Sequence, residues 1–133
     1  MTKERLRAYC ALKYETAQLR GQLEEMETRM YAPKGQQISG MPSGGGGGRA
    51  MEDLTAAHIR LREKYLSRIA ELEREQAVVE DAIEGLPVTE RLVLRARYIE
   101  GLSWERVCVA VGYEWSQTHR IHAAALRLLA DAE

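Results

Sequence analysis

Ser103-Trp104-Glu105-Arg106-Val107-Cys108-Val109-Ala110-Val111-Gly112-Tyr113-Glu114-Trp115-Ser116-Gln117-Thr118-His119-Arg120 decides how this chain folds. Ser103 is a good N-cap, and Glu105 falls in the first turn, where a carboxylate meets unpaired N–H groups. Trp104, Val107, Cys108 and Val111 recur at helical spacing and give that helix its apolar face. Gly112 is placed to be the left-handed residue that ends it. A further helix should open near Glu114 or Trp115 and turn Thr118, Ile121, Ala125 and Leu129 inward. Two short helices joined by a glycine-containing turn have the form of a helix-turn-helix.

Upstream, Leu86-Pro87-Val88-Thr89-Glu90-Arg91 begins another helix, because proline at the first helical turn has no N–H to lose. Its spacing predicts that Leu92, Val93, Ala96 and Ile99 are buried and that it ends at Gly101. Residues 87–133 then form a three-helix domain, with Trp104 half-buried against its first helix. Trp115 has two readings open: a stacking contact for a base or sugar, or a plug against a long helix of the preceding segment.

Residues 1–86 have a different grammar. In 2–30, Tyr9, Leu12, Thr16, Leu19, Leu23, Met26 and Met30 follow strict three-four spacing, a coiled-coil seam rather than a broad apolar stripe. Gly21 lies off that seam. Residues 50–84 contain neither Gly nor Pro and should form a helix of about 50 Å. The second seam runs through Leu54, His58, Leu61, Tyr65, Ile69, Leu72, Gln76, Val79 and Ile83, and Gly85 and Pro87 end it. Between them, residues 31–50 include Gly44 to Gly48 and are expected to be a mobile loop. The glycine run lacks the Gly-Lys-Ser/Thr ending of a phosphate-binding loop. Two seams and one loop predict a long antiparallel coiled-coil hairpin. The second helix is the longer, and its spare length or the hairpin's outer edges can pair with another copy. Leu54, Leu61, Tyr65, Ile69, Leu72 and Val79 are the expected seam and oligomerisation residues. His58 is expected to face water near the frayed helix start.

Charge works against one obvious function. The chain has 19 basic and 20 acidic residues. Residues 87–133 hold six Arg against six Asp or Glu, whereas nucleic-acid binding draws on phosphate neutralisation. Placement has to compensate, with Arg91, Arg95, Arg97, Arg106, Arg120 and Arg127 gathered on one face and a dimer doubling the patch. No apolar run approaches a membrane span, and the charged start has no secretory pattern, so a cytoplasmic location is expected. Cys10 and Cys108 are then free thiols, small and buried or half-buried.

The residues offer little to catalysis. Glu71, Glu73, Glu75, Glu80 and Asp81 read as the solvated side of a coiled coil. His119 and His122 share a helix face, but no further ligand completes a metal set, so a structural or DNA-facing pair is expected. No enzyme activity, cofactor or metal is expected.

Leu86-Pro87, Glu90-Arg91, Val93-Leu94, Ala96-Arg97-Tyr98, Gly101-Leu102-Ser103-Trp104, Val107, Gly112-Tyr113, Arg120-Ile121, Ala125-Leu126 and Leu129 together resemble the fourth conserved region of bacterial sigma factors. That region is a helical domain that reads the upstream promoter element. The whole layout has an N-terminal helix, Met41-Pro42 before a glycine-rich loop, a long helix and a Trp-containing end. It is similar to small phage and prophage proteins, and through them to phage late-transcription regulators of the ArpU and RinA type. One departure is Glu114, which stands where a small hydroxyl cap is usual.

The resemblance implies an all-α protein: a coiled-coil hairpin over 1–86, then a sigma-region-4-like helix-turn-helix over 87–133. It implies sequence-specific binding of double-stranded DNA to regulate phage or prophage transcription, as a homodimer or higher homo-oligomer. Trp115, Ser116, Gln117, His119 and Arg120 fall where sigma factors place DNA contacts, and Arg106 on the preceding helix is a further candidate. Gln can read adenine bidentately, and Arg can read guanine or hold a phosphate. Two alternatives stay open. One is a DNA-packaging subunit similar to small terminases. The other is a module that binds RNA polymerase or a sigma factor without touching DNA.

Overall fold

Lys3–Met30 forms the first helix, α1, and Gly47–Glu84 the second, α2. Val88–Leu94 (α3) runs on into a π-helical segment, Arg95–Ile99, and is followed by Trp104–Val111 (α4) and Trp115–Asp131 (α5). This is a computed structural model that describes residues 1–32 and 47–132. The protein is all-α, with no strand among the described residues. No described helix is long and apolar enough to cross a membrane. Most of the expected 31–50 loop lies outside the described residues. At its end, however, Gly47 to Ala50 are already helical, so α2 starts earlier than the glycine run implied.

The chain forms two compact units, residues 14–70 and residues 1–13 with 71–133. In the 14–70 unit, the Arg68 Nε donates to the Glu15 Oε1 at 2.8 Å, and the His58 Nε2 lies 3.0 Å from the Glu27 Oε1. Partners ascend along one helix as they descend along the other, so the two helices run antiparallel here. Thr16 and Leu19 are buried, while Leu23, Met26, Met30, Leu54, Leu61, Tyr65 and Ile69 are half-buried. His58 does not face water: its side chain is only 13% exposed. Three- and four-residue spacing carries it onto the inner face, where the Glu27 carboxylate satisfies its ring nitrogen.

The other unit has two apolar cores. Met1, Leu6 and Tyr9 of the N-terminal segment meet Val79, Ile83 and Leu86, together with Leu94, Ala125 and Leu129. The Met1 amino group donates to the Leu129 carbonyl at 2.8 Å. Residues 1–13 and 71–86, which the sequence reading places with the hairpin, therefore pack with the C-terminal helices in one unit. The second core joins Val93, Ala96 and Val107, bordered by Leu102, Trp104, Val111 and Ile121.

The α3 segment lies between these cores, and that changes its buried face. Val93 and Ala96 enter one core and Leu94 the other. Leu92, expected inside, is 51% exposed. A helix with partners on two sides buries adjacent residues, which a single-stripe reading does not anticipate. The π-helical turn is closed by the Glu100 N–H on the Arg95 carbonyl at 2.9 Å. The Lys13 ammonium of α1 then donates to the Tyr98 and Ile99 carbonyls at 3.1 and 3.0 Å. It caps the helix end that the chain itself leaves open.

Candidate nucleic-acid interface

The α4–α5 pair is assembled by local chemistry. Ser103 Oγ accepts from the Arg106 N–H at 3.3 Å, capping the start of α4. Gly112 has φ 77° and ends α4, and both its N–H and that of Tyr113 return to the Cys108 carbonyl. A Cβ at Gly112 would meet nothing within 4 Å. The glycine is required by its backbone angle rather than by space.

Glu114 precedes α5 without a side-chain cap bond. Thr118, fully buried, anchors the first turn through its N–H on the Glu114 carbonyl at 2.9 Å. Ala125 and Leu129 continue that buried face and Ile121 is half-buried beside them. Trp115, Ser116, Gln117 and Arg120 are left exposed at the opening of α5, and Arg106 is exposed on α4. Gln117 and Arg120 line a shallow hollow with Ile121, Ala124 and Glu90. The Arg120 Nε donates to the Ser116 carbonyl of its own helix, at 3.4 Å.

His119 is placed differently from the other candidates. Its ring lies between Trp104 and Trp115, with centroids 4.4 and 4.5 Å away, and its buried Nε2 has no hydrogen-bond partner among the described residues. It is a packing residue, as the i+4 relation to Trp115 dictates. Trp115 is 54% exposed and rests on this histidine, so its outer surface is free. His122 receives the Tyr98 hydroxyl at 2.7 Å and meets the Trp104 ring edge-on. Burial pushes its pKa down to about 4, and the neighbouring His119, Lys3 and Arg97 act in the same direction. A neutral imidazole is what the Tyr98 O–H needs as its acceptor. Among the described residues, no three His, Cys, Asp or Glu side chains converge as a metal would require.

Two of the arginines of this region are engaged within the fold. Arg91 turns to the Glu84 carboxylate at 3.5 Å. Arg97 donates to the Leu102 carbonyl at 2.9 Å and covers the Trp104 ring at 4.7 Å. The basic cluster that does form draws on residues absent from the sequence-based candidates. Lys3, Arg7, Cys10 and Lys13 of α1 line a cleft of about 530 Å³ with Arg97, Tyr98, Gly101, Trp104 and His122. Their three-four spacing, off the Tyr9 seam, was the available signal. Cys10 is exposed rather than buried, since it belongs to this stripe, and both cysteines are free.

The chain matches no family model, no curated protein and no solved structure.

Proposed function

We propose that the protein is a sequence-specific double-stranded DNA-binding regulator of phage or prophage transcription. In this reading α4, the left-handed Gly112 and α5 work as a helix-turn-helix, with α5 as the recognition helix. The observation that carries it is the start of α5, where Trp115, Ser116, Gln117 and Arg120 are exposed together while Thr118 holds the turn from beneath. Gln117 offers an adenine its paired donor and acceptor, and Arg120 a guanine or a phosphate. Arg106 adds a backbone contact from α4, and Glu90 suits a cytosine amino group.

Residues 14–70 serve as a coiled-coil hairpin that pairs two copies. Ile59 and Leu66, seven residues apart on α2, are 50% and 52% exposed and form the edge such a pairing covers. Two readers at fixed spacing prefer repeated half-sites.

The test is binding to DNA fragments from the gene's own neighbourhood, across a salt series, beside the Gln117→Ala/Arg120→Ala variant. Site-limited binding with a steep salt slope, lost in the variant, is the expected result. Absence of any site preference overturns it. A second reading, docking on RNA polymerase or a sigma factor, draws on Val88 and Leu92, both exposed and one turn apart on α3. It expects Val88→Ser/Leu92→Ser to abolish function and the α5 variant to leave it intact.

A further inference from the structure

The cleft beside the start of α4 collects positive charge without an answering carboxylate among the described residues. Lys3 and Arg7 come from α1 and Arg97 from the π-helical turn, with Lys13 at the Tyr98 and Ile99 carbonyls. Among the described residues, no Asp or Glu lines the cleft. The chain as a whole is near neutral, so this is local segregation of charge. Lys13 and Arg97 have carbonyl partners that account for their positions. Lys3 and Arg7 are exposed and make no ion pair with a described residue, although Arg5 on the same helix takes Glu75 at 3.4 Å.

Like charges held together cost free energy unless an anion relieves them. The neighbouring groups register that field: Lys3 and Arg97 help hold His122 neutral, and Arg97 and Arg7 oppose the burial that raises the Tyr98 hydroxyl. Gly101, at φ 71°, turns the chain along the cleft without a side chain to fill it. Lys and Arg on opposing elements around an open volume of this size match the chemistry of a phosphate group.

We propose that this cleft is a phosphate site, in which Lys3 and Arg7 of α1 and Arg97 of the π-helical turn hold a phosphate group of a free nucleotide or of a DNA backbone. Only its DNA arm rests on the regulator reading. If DNA supplies the phosphate, α1 adds basic contacts to those of residues 87–133, whose acidic and basic side chains are equal in number.

Trp104 lines the cleft, so the protein with its own tryptophans is the fluorescent reporter. The reporter is titrated with inorganic phosphate, adenosine monophosphate and a short mixed-sequence DNA duplex. Each titration is repeated after Lys3→Gln/Arg7→Gln, which keeps good helix formers at exposed positions, with circular dichroism confirming the fold. Proton NMR follows the His122 ring, whose pKa should rise from about 4 when an anion occupies the cleft.

A saturable response to phosphate or the nucleotide, weakened roughly tenfold or more in the double variant, supports the site with a free ligand. The same response to duplex alone assigns it to the DNA backbone. No saturable response to any probe, or an equal response in the double variant, overturns it. Gln117→Ala/Arg120→Ala separates the two readings: loss of site preference with the cleft response intact concerns α5 alone. Wild-type DNA binding without site preference, beside an intact phosphate response, removes the regulator reading and leaves the cleft standing.

Discussion

The two units of this protein bury their side chains to different depths. In the unit of residues 1–13 and 71–133, Leu6, Val79, Ile83, Val93, Leu94, Val107 and Ala125 are fully enclosed. Among the described residues of 14–70 only Thr16 and Leu19 are buried, and every α2 seam residue there remains half-buried. The cause is geometric. Several helices can surround a side chain, whereas two helices cover it from one side only. A unit of the second kind holds less stabilisation per residue and keeps apolar surface available to another chain.

The sharpest way to break this contrast is to cut one side chain in each unit. Leu94→Ala should cost about 2–5 kcal/mol in chemical denaturation, the range for an enclosed leucine. Leu61→Ala should cost about 1 kcal/mol, because the site is half open and can collapse or admit water. Equal losses would mean that residues 14–70 are enclosed by something further, a second copy being the first candidate.

That possibility has its own test. Ile59→Glu/Leu66→Glu places charge on the exposed α2 edge. A dimer closed over this edge should fall to monomer in sedimentation and lose the concentration dependence of its melting temperature, at roughly 2–3 kcal/mol for each side chain uncovered. A protein that is monomeric before and after the change removes the pairing of two hairpins.

The contrast also explains what was legible in the sequence. The α1 and α2 seams could be read because residues at strict three-four spacing must share one face, and all of them turned out buried or half-buried. The Ser103 cap, the left-handed Gly112 and the start of α5 were equally legible, being set by adjacent residues. What could not be read depends on contacts distant in sequence. Leu94 is buried in a core to which α1, α2 and α5 all contribute, and Lys13 caps a helix end eighty-odd residues away. His119 matched the exposed pattern of its neighbours, but two tryptophans close over it. The cationic cleft escaped for the same reason: its residues come from both ends of the chain.

The many-sided unit should also respond to pH. His122 has its pKa lowered to about 4 in the folded protein, against about 6.5 when unfolded. Between these values the unfolded chain binds the extra proton, so stability is full above pH 6.5 and falls as the pH drops toward 4. In the folded protein the imidazole keeps accepting from the Tyr98 hydroxyl until it protonates near pH 4. The partial exposure of His122 keeps the effect below that of Leu94→Ala. Melting followed from pH 7.5 to 4 should show the decline in the wild type and a flatter profile in His122→Gln. An identical decline in the variant would assign the pH response to other groups.

The smallest effect belongs to the two-sided unit. Arg68 meets Glu15 at 2.8 Å, with side chains 33% and 46% exposed. Water screens a pair this open, and ordering two long side chains offsets much of the attraction. Glu15→Gln should therefore cost only about 0.2–1 kcal/mol, and added salt should shrink that difference further. Antiparallel register is then held by the half-buried Leu61, Tyr65 and Ile69 rather than by the charges that bracket them. A loss in Glu15→Gln comparable to that of Leu61→Ala would reverse this order and make the ion pair a determinant of register. A salt-insensitive loss would point instead to a pair shielded from water, as it would be if a second copy of the hairpin lay over it.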